Sequence, residues 1–236
     1  MKIKDIKDGI KDGLPIALGY FSVSVAFGVS AVGANVPWWG ATLISLTNLT
    51  SAGQKAGVDV MAVGGSILLI ILTTLIINMR YFLMGVSMSQ KVEEKMPIWQ
   101  RLLVAFGITD EIYAVSMGRK NDLTGAYMAG LIIPPIFGWT GGTLLGSVAT
   151  NFMPEILAEA MGIALYGMFI AVIVPPSKQS KKVFAAVILA ICLSVIFTYL
   201  PYLNRLETGW AVIIITIVVS SIAATVFPIK EEADNE

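Results

Sequence analysis

Two stretches of an otherwise apolar chain concentrate side chains that can bind or carry charge. The first, LTNLTSAGQKAGVDVMAVGG from Leu46 to Gly65, holds Asn48, Thr50, Ser51, Gln54, Lys55 and Asp59, with Gly53 and Gly57 between them. Amides and hydroxyls at this density suit a discontinuous helix near residues 50–57. Glycine permits unwinding, the polar side chains satisfy freed backbone or a ligand, and broken helices of this kind hold substrates and ions in secondary transporters. The new helix N-terminus that a break creates suits a carboxylate. Lys55 and Asp59 are four residues apart and neutralise each other if that turn is helical. The competing reading is a polar loop between two short helices.

The second cluster joins Arg80, in INMRYF, to Thr109, Asp110, Glu111, Tyr113 and Ser116, in GITDEIYAVS. Thr109, Tyr113 and Ser116 recur at i, i+4 and i+7 and share a helix face. Arg80 lies about seven residues before the end of its apolar run and Asp110 about eight after the start of the next, so both sit roughly 10–12 Å below one membrane face at ~1.5 Å per residue. They are therefore expected to face each other. One reading is a structural ion pair; the other is a substrate-binding or proton-coupling carboxylate. Adjacent Asp110 and Glu111 diverge by about 100° on a helix and cannot flank a single bond. The sequence holds no HExxH, no GxSxG and no histidine, which removes zincin sites, Ser-His-Asp triads and histidine proton relays. No enzyme activity, metal or cofactor is expected. The single cysteine, Cys192, cannot form an internal disulfide.

These clusters need elements to hold them in a bilayer. Of 236 residues 56% are hydrophobic and 14% charged, with mean hydropathy +0.79, whereas a soluble domain carries roughly 25% charged residues. Several runs reach the roughly 18 apolar residues that span a bilayer, and the ~10-residue alternation of a transmembrane barrel is missing. The chain reads as an all-α integral membrane protein. Eight apolar segments fall at about 14–33, 38–62, 63–87, 102–118, 124–147, 155–175, 183–200 and 209–227. Seven crossings result if the second is re-entrant. Residues 1–13 read as a cytoplasmic N-terminal segment, 14–228 as a single membrane domain and 229–236 as an acidic tail. The first run is too long for a signal-peptide core of about 7–15 residues and is taken as a retained span. With eight crossings, ten Lys or Arg residues (Lys2, Lys4, Lys7, Lys11, Arg119, Lys120, Lys178, Lys181, Lys182, Lys230) face Lys91, Lys95, Arg101 and Arg205 across the membrane, so both termini are expected in the cytoplasm. A formal net charge of zero gives no reason to expect nucleic acid. Gly138, Gly142 and Gly146 form a small-residue stripe suited to close helix contact. No internal repeat aligns in the sequence.

TNLTSAGQ, INMRYFLMGVSMS and ITDEIYAVS, in that order after LPIALGYFSVSVAFG, resemble the AzlC-type permeases of the azaleucine resistance family. The match is strongest from Leu14 to Ser116. Members of that family usually carry an aromatic or apolar residue where this chain has Lys55, and a small or apolar one at Asp59. The resemblance implies export of branched-chain or similar hydrophobic amino acids across the cytoplasmic (inner) membrane, with a small AzlD-like membrane protein as companion. The polar clusters fit a zwitterion: Asn48, Thr50, Ser51, Gln54, Thr109, Asp110, Glu111 and Tyr113 are expected to bind substrate, and Lys55, Asp59, Arg80, Asp110 and Glu111 to pair or couple ions, with protons as the coupling ion. The alternatives are a channel-like pore, or a structural membrane subunit whose partner transports.

Overall fold

The computed structural model describes residues 3–206 and 208–227. The protein is all α, with no strand among the described residues beyond an isolated bridge between Val92 and Leu123. Six helices are long: α1 (Ile3–Gly33), α4 (Ile67–Ser89), α7 (Gly125–Ala149), α8 (Glu155–Gln179), α9 (Lys181–Tyr199) and α10 (Thr208–Val226). Four are short: α2 (Trp38–Thr47), α3 (Ser51–Ala62), α5 (Ile98–Phe106) and α6 (Asp110–Gly118). Among the described residues, α1, α4, α7, α9 and α10 are apolar and extended enough to cross a membrane. Residues 3–13, expected as a separate segment, are the first turns of α1, and the expected acidic tail lies outside the described residues.

Hydroxyl caps start several of these helices. Ser66, Thr109, Thr124 and Ser180 each accept a hydrogen bond from the backbone N–H three residues on, which satisfies one of the donors a helix start leaves open. Pro37 and Pro97 stand immediately before α2 and α5, where a missing N–H costs nothing.

The core is the parallel pair α1 and α7. Gly9 meets the backbone at Tyr127 and Gly130, Gly13 that at Leu131, and Gly138, Gly142 and Gly146 meet that of Ala17, Phe21 and Val25 in turn. A methyl group at Gly142 would collide with the Phe21 carbonyl, so the glycine stripe is the surface that lets two backbones touch.

The short helices form two hairpins. In the second, contacts to α4 advance together along both chains: Arg80 with Asp110 at 3.0 Å, Ser87 with Tyr113 at 2.9 Å, Lys91 Nζ with the Met117 carbonyl at 2.7 Å. Helix α6 therefore runs parallel to α4. On α5, Gln100 lies against Gly125 and Gly107 against Ile132 of α7, while Ser116 of α6 reaches Met128. The arms α5 and α6 are antiparallel, with both outer ends at the N-terminal end of α7. In the first hairpin, α2 runs against α7, Trp38 beside Ser147 and Ser45 beside Thr143. Helix α3 then turns back along α4, Gly53 against Asn78 and Gly57 against Thr74. Its outer ends lie at the opposite end of the bundle.

Segment 38–62, expected to be interrupted, is a hairpin of two helices, the re-entrant alternative, and this arrangement corrects segment 102–118, which was read as one continuous span. The loops around Lys91 and Arg119, assigned to opposite sides on that reading, are joined: Lys91 Nζ donates to the Arg119 carbonyl, and the backbones of Lys91, Glu93 and Leu123 bond at 3.0–3.1 Å. Each arm has 9–12 residues, about half of a ~30 Å bilayer core at ~1.5 Å per residue. Hydropathy summed over a window cannot tell two half-length helices that reverse from one that continues. The first interruption falls at 48–50, at the leading edge of the expected stretch, and Gly53 and Gly57 are helical. The second, at 107–109, had no counterpart in the expected segments.

Candidate functional site

The two hairpin tips meet halfway along α1, around a cavity of about 500 Å³. Leu49, Ser51 and Ala52 come from the first tip, Asp110 and Glu111 from the second. Helix α4 adds Arg80 and Tyr81; α1 adds Ile16, Tyr20 and Val23; Trp139, Phe169 and Ile173 complete an apolar wall from α7 and α8. Helices α3 and α6 both start at this cavity and leave it in opposite directions, so two positive helix ends converge on it. The α6 end carries its own acids, Asp110 and Glu111, in the first turn. The α3 end carries none, and its N-cap residue Thr50 makes no side-chain capping bond.

The two carboxylates are treated differently. Asp110 is paired with Arg80 at 3.0 Å. The guanidinium also donates to the Tyr81 hydroxyl at 2.9 Å and lies over that ring, 4.8 Å from its centroid. Glu111 has no cation within ion-pair distance among the described residues. It accepts from the Tyr20 hydroxyl, which also stands 2.7 Å from the Thr109 hydroxyl and whose ring packs edge-on against Trp139 at 5.4 Å between centroids. A carboxylate held by one hydroxyl and no cation keeps acceptor capacity for a ligand.

Other expected site residues stand elsewhere. Gln54 is 2% exposed. Its amide nitrogen donates to Ser45 Oγ at 3.0 Å, and its carbonyl accepts from Trp139 Nε1 at 3.1 Å. Ser45 and Thr143 are 2.7 Å apart, which closes a buried network among α2, α3 and α7. Gln54 thus fixes the first hairpin behind the cavity wall. Asn48 ends α2, its backbone N–H bonded to the Ile44 carbonyl, and is not on the wall. The Thr50 hydroxyl is buried beside Asn78 against Gly53, without a hydrogen-bond partner. Tyr113 points to Ser87, away from the cavity. Lys55 bonds Asp59 and lies 5.4 Å from the centroid of the Tyr166 ring. Among the described residues, no group of three or more Cys, Asp or Glu is placed to hold a metal ion.

Sequence reasoning missed Tyr20, Tyr81, Trp139, Phe169 and Ile173. Only Tyr20 carried a signal, a tyrosine beside Gly19 in the middle of an apolar run.

The model of the family described as AzlC protein matches residues 15–153. The chain belongs to the AzlC protein family. The matched region runs from α1 through α7 and the turn after it, and so contains both hairpins and most of the cavity wall. The inner membrane protein YgaZ of Escherichia coli (strain K12) is 26% identical over 190 residues, 77% of this chain and 78% of that protein. A membrane protein described as uncharacterized, from Archaeoglobus fulgidus, is 28% identical over 183 residues, 77% of this chain and 80% of its own. No solved structure matches. The protein is an AzlC-family membrane protein, in keeping with its long apolar helices.

Proposed function

We propose that this AzlC-family protein is a secondary transporter that exports branched-chain or similar hydrophobic amino acids, coupled to protons and working with a small AzlD-like membrane protein. The observation that carries the reading is the unequal pair of carboxylates in one cavity: Asp110 is neutralised by Arg80, whereas Glu111 faces the cavity with only the hydroxyl of Tyr20. An amino acid fits this arrangement. Its ammonium pairs with Glu111; its carboxylate takes the uncapped start of α3 and the Arg80 side of the cavity; its aliphatic side chain lies among Ile16, Val23, Trp139 and Phe169. A volume of about 500 Å³ falls within the roughly 300–1,000 Å³ of small-molecule sites. Glu111 then alternates between substrate ammonium and a proton, and so couples the two fluxes. Asp110 and Arg80 keep each other balanced throughout.

The same packing supports an orientation. With both hairpins re-entrant, the six long helices cross the membrane and both termini share a side. Eleven of the fourteen described Lys and Arg residues then fall at that side: Lys4, Lys7, Lys11, Lys91, Lys95, Arg101, Arg119, Lys120, Lys178, Lys181 and Lys182. Arg205 alone is opposite, and Lys55 and Arg80 are within the membrane. That bias is sharper than the one eight crossings produced, and it supports termini in the cytoplasm of a cytoplasmic-membrane protein.

The test is efflux of labelled leucine or valine from proteoliposomes, with and without a pH gradient and with and without the companion. Glu111→Gln is expected to abolish gradient-driven efflux while the protein still inserts. Wild-type efflux by that variant removes Glu111 from the site. Efflux of any small solute at rates that do not saturate favours a pore instead.

A further inference from the structure

Lys55 is not part of the cavity wall, yet it is 7% exposed inside a membrane protein. On α3, residues 51, 55 and 59 lie on one face. Ser51 is on the cavity wall; Lys55 is one turn beyond it; Asp59 is another turn out, its side chain 44% exposed. Across from this face is α8, which runs antiparallel to α1: Met161 packs by the cluster around Phe27, and Ile173 lines the cavity with Ile16. Tyr166 is one turn from Phe169 in the same outward direction, and its ring faces Lys55 Nζ. Lys55 and Tyr166 thus meet one turn out from the cavity, toward the end of the bundle opposite the α1 N-terminus, and place a cation and an aromatic ring between the cavity and Asp59.

We propose that Lys55 is a second binding station for the substrate carboxylate, on an outward route between α3 and α8 that its contact with Tyr166 closes. The proposal rests on the reading of the central cavity given above. A buried ammonium needs an anion, which Asp59 supplies when the route is empty. A carboxylate leaving the cavity replaces Asp59 as that anion, so Lys55 changes partner and is never left alone. The cation–π contact, a modest interaction at this separation, opens at little cost.

The experiment uses full-length protein in the Cys192→Ser background with Ser51→Cys as reporter, labelled in sealed vesicles by membrane-impermeant sulfonate and trimethylammonium thiol reagents. If the Lys55–Tyr166 contact closes the route, Tyr166→Ala raises both rates from the outer side about tenfold, as expected for releasing a minor open state. If Lys55 recruits anions, Lys55→Gln lowers the sulfonate-to-ammonium rate ratio about tenfold, the lower end of local electrostatic enrichment. Labelling from the cytoplasmic side alone, or rates indifferent to both substitutions, overturns the proposal whatever the substrate. In the native-cysteine protein, Lys55→Gln with Asp59→Asn removes both charges without stranding either. It is expected to slow leucine efflux at least about tenfold while leucine still quenches tryptophan fluorescence at the wild-type concentration; efflux at the wild-type rate overturns the station. A wild-type protein that neither binds nor moves leucine defeats the cavity reading, and the labelling still decides the route.

Discussion

The two hairpins share a plan and differ in chemistry. Each begins after a proline, Pro37 or Pro97. Each breaks at an apolar residue followed by threonine, Leu49-Thr50 or Ile108-Thr109, the threonine thirteen or twelve residues after the proline. Each is followed by a hydroxyl-capped long helix, from Ser66 or Thr124. They enter the bundle from opposite ends, the arrangement that an inverted repeat of one long helix and one hairpin produces. In the first, the residues after the break are neutral, and Gln54 is hydrogen-bonded through both its amide nitrogen and its carbonyl inside the fold. In the second, the same positions are Asp110 and Glu111, and they face the cavity. Thr109 caps its helix, whereas Thr50 leaves the start of α3 open. One tip therefore offers negative charge and the other open N–H groups. A cavity between two such tips suits a ligand that carries both charges.

The comparison breaks first at topology. If both hairpins re-enter, single cysteines replacing Lys95 and Lys120 label from the same side of the membrane, and one replacing Asn35 or Gly64 labels only from the other. Lys95 and Lys120 labelling from opposite sides restores a continuous fourth span and ends the symmetry. This outcome is all-or-none.

The charged tip is tested by Arg80→Ala, which strands Asp110. The pair is partly exposed, at 39% and 37% of its side chains, so the expected loss is about 1–3 kcal/mol, between that for surface and buried pairs. Adding Asp110→Asn should recover part of it in a thermal-unfolding measurement. No recovery shows that Arg80 acts through other contacts. The neutral tip is tested by Gln54→Leu, which leaves Ser45 and the Trp139 N–H without their partner. About 1–3 kcal/mol of stability is expected to go, and leucine affinity should stay within a few-fold of wild type. Loss of binding in a stable Gln54→Leu protein would place Gln54 in the site after all. Smallest is Gly53→Ala, whose new methyl must push aside the Thr50 and Asn78 side chains. The Asn78 amide can swing aside, but Thr50 is β-branched and stiff at χ1, so about 1–2 kcal/mol is expected. A much larger loss shows that the Thr50–Asn78 contact is rigid.

The division of labour between sequence and fold follows from the range of the forces involved. Transfer of apolar side chains into lipid is set residue by residue, so composition alone decided that this is a helical membrane protein, and where its apolar segments lie. Depth counted from the loop between the apolar runs was enough to bring Arg80 to Asp110, although Asp110 opens α6, a helix start the apolar segments did not show: α5 carries the chain back into the bundle to the depth a continuous span would have reached. The concentration of amides and hydroxyls marked the first break to within a few residues. Whether a chain continues or reverses after a break does not change its hydropathy. The reversal at 107–109, and with it the side of the membrane on which Lys91 and Arg119 lie, was fixed only by packing against α4 and α7. The same is true of Gln54 and Glu111. Both are polar residues just past a break, and their types and spacing suggested equal roles. Trp139 and Ser45 close around one and satisfy it; the other meets only the hydroxyl of Tyr20 at the edge of a cavity. Those partners are 9 to 91 residues away in the chain, a separation over which no local pattern carries information.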